Sequence, residues 1–449
     1  MSALDFISRA LVVREGEIER RSSVIAALMC SIEENLSKGL PGLINVPIAE
    51  NRSSTTQIAS GKLYGFSSGT PANDFRHHFN MYGGKWENSD FGGVTRLRAV
   101  TAYSGSLGNP LTNPLYRPGP IRFATWADKF EVYALNEPTG FRMRVNGKFT
   151  KDGLYGNSDI NGDANGQLRY YLFDFTGTEF AGQGLKQVEI IGDGQFRFAG
   201  VRVPITYTVE PFPQSFPLKA ALHGDSISAG TIADSADYRS ARYAKMADVM
   251  RPLTGISDIW VNGIGGRGFV TNGGAVNFVE QAAVAFTGAD FDVVWSVGTR
   301  NDGAYGNKAA YQAVVESWID IVLADNPDTI IVLTGPIGAN SAESAGAAFQ
   351  DMQDAKRAAA ASYPRNCAFI NTCGRVTADP WIFGSGRVGA PAGNGNADLV
   401  LGTDGVHPSI FGHNYLGHRL VTETARVLPL LASRIRKGVI AGKNDTDIV

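Results

Sequence analysis

Cysteine is scarce in this chain. Its 449 residues hold three, Cys30, Cys367 and Cys373, an odd number with no C-x-x-C pair and no clustered histidines nearby. That argues against a disulfide scaffold and against a zinc site. Cys367 and Cys373 flank AFINT, a buried-strand pattern in which a thiol acts as a small hydrophobe. An excess of charge is missing too: a net charge of -2 and a pI near 6.3 give no electrostatic reason to expect a nucleic acid or an anionic membrane as partner. No apolar run approaches the ~20 residues of a membrane helix, so no membrane insertion is expected. Acids and arginines interrupt the N-terminal MSALDFISRALVVREGEIERR, which has no signal-peptide core. The expectation is a chain not exported by an ordinary cleaved signal, hence cytoplasmic or virion-associated.

What is there is a folded composition, 43% hydrophobic and 19% charged, over a length that predicts two or three domains. Residues 1–38 read as a helix with Leu4, Leu11, Ile18, Ile25 and Ile32 at intervals of seven. The second seam is apolar only at its ends, Ile7 and Leu28. Two readings stand side by side: a helix docked on its own chain, or an oligomerising bundle, for which isoleucine-rich seams lean toward a trimer. Residues 39–74, rich in Gly, Pro, Ser and Thr, read as a linker. Gly65 to Gly69 match G-x-S-x-G, but no helical pattern follows, so the match is treated as chance.

From 75 to 215 the period is two. KFEVYAL, FRMRVNGKFT, LRYYLFDF, KQVEIIG and FRFAGVRV alternate, with an Asn146-Gly147 hairpin turn inside the second. These predict an all-β, jelly-roll-like sandwich. From 216 to 437 apolar strands alternate with helices, the pattern of a three-layer α/β/α domain on a parallel sheet, and 438–449 reads as a tail.

In LKAALHGDSISAG a buried strand stops at Gly224, Asp225 and Ser226, which places a serine at a strand's carboxyl end, where such sheets bind ligands. A serine hydroxyl needs an imidazole to take its proton and a carboxylate to orient that imidazole. GTDGVHP supplies both as Asp404 and His407, and Pro408 favours a fixed, extended loop there. VNGIGGRG and VGTRND also end strands and offer close-approach glycines and the Asn301 amide, which with the Ser226 N–H would make an oxyanion site.

These blocks resemble the SGNH hydrolases, or GDSL esterases, over Leu218 to about Leu431. The resemblance implies a flavodoxin-like α/β fold with Ser226 as nucleophile, Asp404 and His407 as acid and base, and Gly266 as glycine donor, with Gly265 the fallback. Asn301 would be the side-chain donor. The family usually reads G-x-N-D in the third block, whereas Gly298 to Asp302 carries one residue more, Arg300, which leaves open where Asn301 sits and whether Arg300 enters the cleft. A β domain ahead of such a fold is similar to two-domain carbohydrate esterases, which implies a metal-independent, cofactor-free deacetylase of acylated carbohydrate or polysaccharide. The Gly- and Asn-rich GNSDINGDANG and GAPAGNGNAD offer polar groups and no apolar lid. Trp381 stands as a candidate sugar-stacking residue, although a tryptophan so placed is more often core. His223 reads as a packed strand-end histidine. A phage tail or fibre component, a lipid or thioester esterase, and a non-catalytic glycan-binding scaffold are the further readings.

Overall fold

The structure is a computed structural model describing residues 20–43, 51–65, 77–84, 86–91, 94–99, 119–136, 140–155, 167–182, 184–192, 196–214, 217–233, 243–272, 276–303, 305, 307–338, 340, 343, 346–374 and 380–441. Leu4, Ile7, Leu11 and Ile18 of the heptad, most of the G-x-S-x-G match and the 156–166 loop lie outside these residues.

Helix α1 (Arg20–Lys38) comes first. The alternating segments then form β1 (Asn51–Ser53), β2 (Gly61–Gly65), β3 (Asn80–Met81), β4 (Trp86–Phe91), β5 (Val94–Ala99), β6 (Pro120–Thr125), β7 (Lys129–Asn136), β8 (Phe141–Val145), β9 (Lys148–Phe149), β10 (Gln167–Asp174), β11 (Lys186–Gly192), β12 (Arg197–Pro204) and β13 (Glu210–Pro211). They build two antiparallel sheets. One has seven strands, ordered β1-β10-β7-β12-β5-β4 with β2 on β12; the other has six, ordered β13-β6-β11-β8-β9 with β3 on β6. Aromatic side chains from both sheets meet between them, among them Phe123 against Phe130 with ring centroids 5.6 Å apart and Phe141 edge-on to Phe173, which makes the pair a sandwich. Asn146 and Gly147 take left-handed backbone angles, φ 49° and 81°, as the two-residue turn between β8 and β9 requires.

Two expectations change. The stretch expected as linker carries β1 and β2, paired with β10 and β12; strands of three and five residues are too short to show a period. The outward face of the second sheet is buried as well. Arg122 and Arg144 point away from the sandwich core and both pair with Glu189. Arg122 also donates to Ser257 Oγ at 3.3 Å, because this face lies against the α/β domain. Paired, these buried charges are tolerated; one left alone would cost several kcal/mol.

The α/β domain has β14 (Lys219–Gly224), α2 (Met246–Thr254), β15 (Asp258–Gly263), α3 (Phe278–Ala285), β16 (Val293–Val297), α4 (Lys308–Asp325), β17 (Ile330–Thr334), α5 (Ala347–Ser362), β18 (Cys367–Ile370), α6 (Ala397–Val400) and α7 (Ile410–Ala441). Its five parallel strands are ordered β15-β14-β16-β17-β18. Helices α1, α2 and α7 cover one face and α3, α4 and α5 the other, giving three layers. Val24, Ile25, Leu28, Met29 and Ile32 of α1 are buried in the same core as α2, α7 and the sheet. Each stabilises the fold by about 1.5–3 kcal/mol. Ser31 Oγ donates to Thr254 O at 2.6 Å and Arg20 reaches Asp292 at 3.0 Å. The Ile25 and Ile32 positions that suggested a coiled coil are therefore occupied within the chain, because a heptad seam and an ordinary docked face look alike in sequence. Among the described residues no helix is long and apolar enough to cross a membrane.

Candidate active site

Strand order creates the site. Strand β14 sits between β15 and β16, so the chain crosses over in opposite directions from it, and a crevice opens at the carboxyl ends. Register aligns them: Gly224 pairs with Gly263 on one side and Val297 on the other. The segments that follow, Asp225–Ser226, Ile264–Gly266 and Gly298–Asn301, are thereby brought together. Gly224 permits the close approach. A Cβ there would lie 1.9 Å from Val297 O and 2.3 Å from Ser228 Oγ, so any side chain would push the serine turn off the sheet.

Ser226 Oγ lies 3.0 Å from His407 Nε2, and His407 Nδ1 lies 2.6 Å from Asp404 Oδ2. The other oxygen of Asp404 accepts the N–H groups of Val406 and His407 at 2.8 and 2.9 Å, a turn closed by an aspartate side chain. The Gly402 N–H to His407 O bond at 2.8 Å and the Leu401–Pro408 bridge fasten that turn to the domain. Burial pushes the Asp404 carboxyl up, but the hydrogen bonds from the His407 ring and the two N–H groups pull it down further, and its pKa ends below the ordinary value. The carboxylate stays ionised and fixes the imidazole tautomer that leaves Nε2 free to accept a proton.

A cavity of about 180 Å³ opens beside Ser226, walled by Gly266, Asn301, Arg300, Ile227 and Val406 as well as His407. Gly266 takes φ +74° with open space where a Cβ would be. Gly265 is close to the serine, its Cβ position 3.6 Å from Ser226 Cβ. Asn301 Nδ2 donates one hydrogen to Arg267 O at 2.8 Å; an amide nitrogen carries two, so the second is available to the cavity. The extra residue in GTRND is absorbed at Thr299, which takes φ +90° and whose N–H is held by Asp225 Oδ2 at 3.0 Å. Asn301 thus still lines the cavity. Arg300 lines it too, and its guanidinium is paired with Glu343 at 3.0 and 3.2 Å.

Of its two readings, sugar stacking and core, Trp381 takes the core one. It is 1% exposed, packed in the domain core with Arg419 over its ring, and offers no face to a sugar. Two residues on, Phe383 is exposed, as are Leu399 and Phe411 near the His407 turn; a loop without a regular period gives no signal of which aromatic turns outward. His223 is buried against Phe278, Phe286 and Trp318. Burial, helped by Lys356, pushes its pKa down to about 3, so it is a neutral packing group.

Sequence reading passed over the groups beneath the site. Asp225 accepts the Ile227 and Thr299 N–H groups. Asp302 accepts the N–H groups of Phe269 at 2.8 Å and Thr271 at 2.9 Å, and the Tyr311 hydroxyl at 3.0 Å. Each carboxylate pins one of the loops that wall the cavity.

No protein-family model matches the sequence, and no curated protein matches it. Solved structures do resemble it. A family two carbohydrate esterase from Cellvibrio japonicus aligns over 83% of this chain and 99% of its own, at 15% identity and a TM-score of 0.54. A family two carbohydrate esterase from Clostridium thermocellum in complex with cellohexaose aligns over 78% and 99%, at 14% identity and 0.51. The salicylyl-acyltransferase of a tetracycline biosynthetic pathway aligns over 86% and 99%, at 15% identity and 0.50. At such identities the likeness is one of fold: the chain shares with these enzymes the architecture of antiparallel sheets joined to a parallel-sheet α/β/α domain.

Proposed function

We propose that the protein is a serine esterase that removes small acyl groups, acetyl above all, from carbohydrate through an acyl-enzyme. The observation that carries this reading is the continuous hydrogen-bonded chain Ser226–His407–Asp404 at the wall of a cavity. As Ser226 Oγ attacks the ester carbonyl, His407 Nε2 takes its proton, and Asp404 stabilises the imidazolium. The N–H groups of Ser226 and Gly266 and the Asn301 amide would receive the oxyanion. The alcohol leaves with the proton from His407. Water, deprotonated by the same nitrogen, then releases the acid and restores the serine.

The size of the cavity supports a small acyl group: about 180 Å³ is below the roughly 300–1,000 Å³ of pockets that enclose drug-sized ligands. Exposed Phe411, four residues beyond His407, would give a sugar ring an apolar face to rest on, the part for which Trp381 was a candidate. The Arg300–Glu343 pair weakens the scaffold reading, since it occupies the guanidinium that would otherwise compete for the oxyanion site. The trimeric virion attachment loses support, because Ile25 and Ile32 are spent inside the chain.

The test is hydrolysis of p-nitrophenyl acetate against longer p-nitrophenyl esters by the intact protein and Ser226→Ala. The expected result is turnover that falls steeply with acyl length and drops by about 10⁶-fold in the variant. Turnover that rises with acyl length would replace the deacetylase with a lipid or thioester esterase. Equal inertness of both proteins toward these esters and acetylated polysaccharide would leave a binding scaffold.

A further inference from the structure

Beneath the cavity lies a charged group that this reaction scheme leaves unused. Lys356, in the middle of α5, is fully buried, and its Nζ has no hydrogen-bond partner among the described residues. It stands 5.3 Å from the centre of the Phe269 ring, and the Phe269 backbone N–H is bonded to Asp302. The ammonium is attracted by Asp302 and Asp225, one following β16 and the other β14. The remaining ionisable groups that act on it or on its partners are Cys373 after β18, His223 on β14 and Tyr311 on α4, whose hydroxyl is bonded to Asp302.

We propose that Lys356 is a positioning residue for the reaction: its buried ammonium draws the Asp225 and Asp302 carboxylates together and so holds the loops after β15 and β16 in the geometry that receives the ester oxygen. This rests on the esterase reading above. The argument is one of cost and reach. An ammonium without a hydrogen-bonded partner in the interior costs several kcal/mol, and a methionine would fill the same volume without that cost. What the ammonium adds is simultaneous attraction to two carboxylates that meet at the segment after β16, Asp225 through the Thr299 N–H and Asp302 from within it. Asp225 holds Thr299, next to Arg300 and Asn301; Asp302 holds Phe269 and Thr271, in the loop that carries Gly266. A shift of a few tenths of an ångström between these loops would misplace the donors relative to Ser226, and misplaced oxyanion donors cost rate in the transition state with little effect on ground-state binding.

The titration of Lys356 separates this role from a purely structural one. Burial pushes its pKa from 10.5 down to about 7, with Asp302 and Asp225 opposing. Between those values the unfolded chain holds a proton that the folded one has lost, so the lysine's contribution to stability increases as pH rises from about 7. The electrostatic tie does the reverse, since it exists only while the ammonium is charged. Stability and turnover should therefore move in opposite directions over pH 7–9.

The experiment measures kcat and KM on p-nitrophenyl acetate, corrected with Ser226→Ala, together with thermal unfolding, at pH 6.5–9 for the intact protein, Lys356→Met and Lys356→Arg. The expected result for the intact protein is a kcat that falls about tenfold between pH 6.5 and 9 while the melting temperature holds or rises. Lys356→Met should start about tenfold lower in kcat at pH 6.5 with KM retained and show no further alkaline fall. Lys356→Arg, charged throughout, should keep its kcat to pH 9. A kcat of the intact protein that is level or rising across pH 7–9 overturns the proposal without any variant having to fold, as does an alkaline fall that persists in Lys356→Met. Labelling of Ser226 by a fluorophosphonate distinguishes the two failures. A labelled serine with no such pH trend sinks only the role of Lys356; an unlabelled, inactive serine sinks the esterase reading and this inference with it.

Discussion

The two faces of the parallel sheet are built on different principles. Toward α1, α2 and α7 the strands present Ala220, Leu222, Val293, Trp295, Val297, Ile330 and Val332, with Trp295 Nε1 donating to Thr424 Oγ1 at 3.1 Å. Toward α3, α4 and α5, one residue out of phase, the same strands present His223 and Ser296 among apolar neighbours, and the helices add Lys356 and Tyr311. The His223 ring nitrogens, Ser296 Oγ and Lys356 Nζ have no hydrogen-bond partner among the described residues. One face secures the fold by burying apolar surface. The other accepts desolvated polar groups directly below the loops that wall the cavity, where a low effective dielectric strengthens each charge interaction.

If that division holds, substitutions should separate into those that stop turnover and those that loosen the fold. The largest effect is expected from Asp404→Asn, which removes the charge that sets the His407 tautomer. Turnover should fall by about 10⁴-fold, with the melting temperature little changed, as read by ester hydrolysis and thermal unfolding on one sample. Ile32→Ala, on the apolar side and far from Ser226 in the chain, should cost about 2–5 kcal/mol of unfolding free energy in urea titration and leave kcat intact. A large loss of kcat in that variant would mean that α1 is part of the catalytic framework and would break the comparison. Arg300→Ala should have the smallest effect, less than about tenfold in kcat/KM with unchanged stability, since its partly exposed pair with Glu343 is of the kind worth ~0–1 kcal/mol. A hundredfold loss would show that Arg300 contacts the substrate.

Ser226, Asp404 and His407 were legible because each is announced locally. The serine follows a continuous apolar strand and a glycine, and the aspartate and histidine sit in one turn that the aspartate closes on itself. The helices α3, α4 and α5 were legible from periodicity, and so were β7, β8, β10, β11 and β12. Strand β6, PIRFAT, was not, because it opens on a proline and only Ile121, Arg122 and Phe123 keep the alternation, too short a run to show a period. The tie between Lys356 and the two aspartates leaves no local trace: it joins residues 54 and more positions apart through a shared environment, and a lone lysine on a helix reads as surface. The exposure of Phe383 was not legible for a related reason, since outside regular structure nothing in the sequence says which of two nearby rings faces water.

The docking of α1 has a consequence for how the chain is made. The apolar stripe Ile25, Leu28 and Ile32 is synthesised well before much of the surface that covers it, α7, which begins at Ile410, roughly 380 residues later. At the ~5–20 residues per second of translation, the stripe waits on the order of 20–70 s for its partner. During that interval the segment best suited to lock the finished domain is also a sticky one, and a chaperone that occupies it would be holding the last piece of the fold rather than the first.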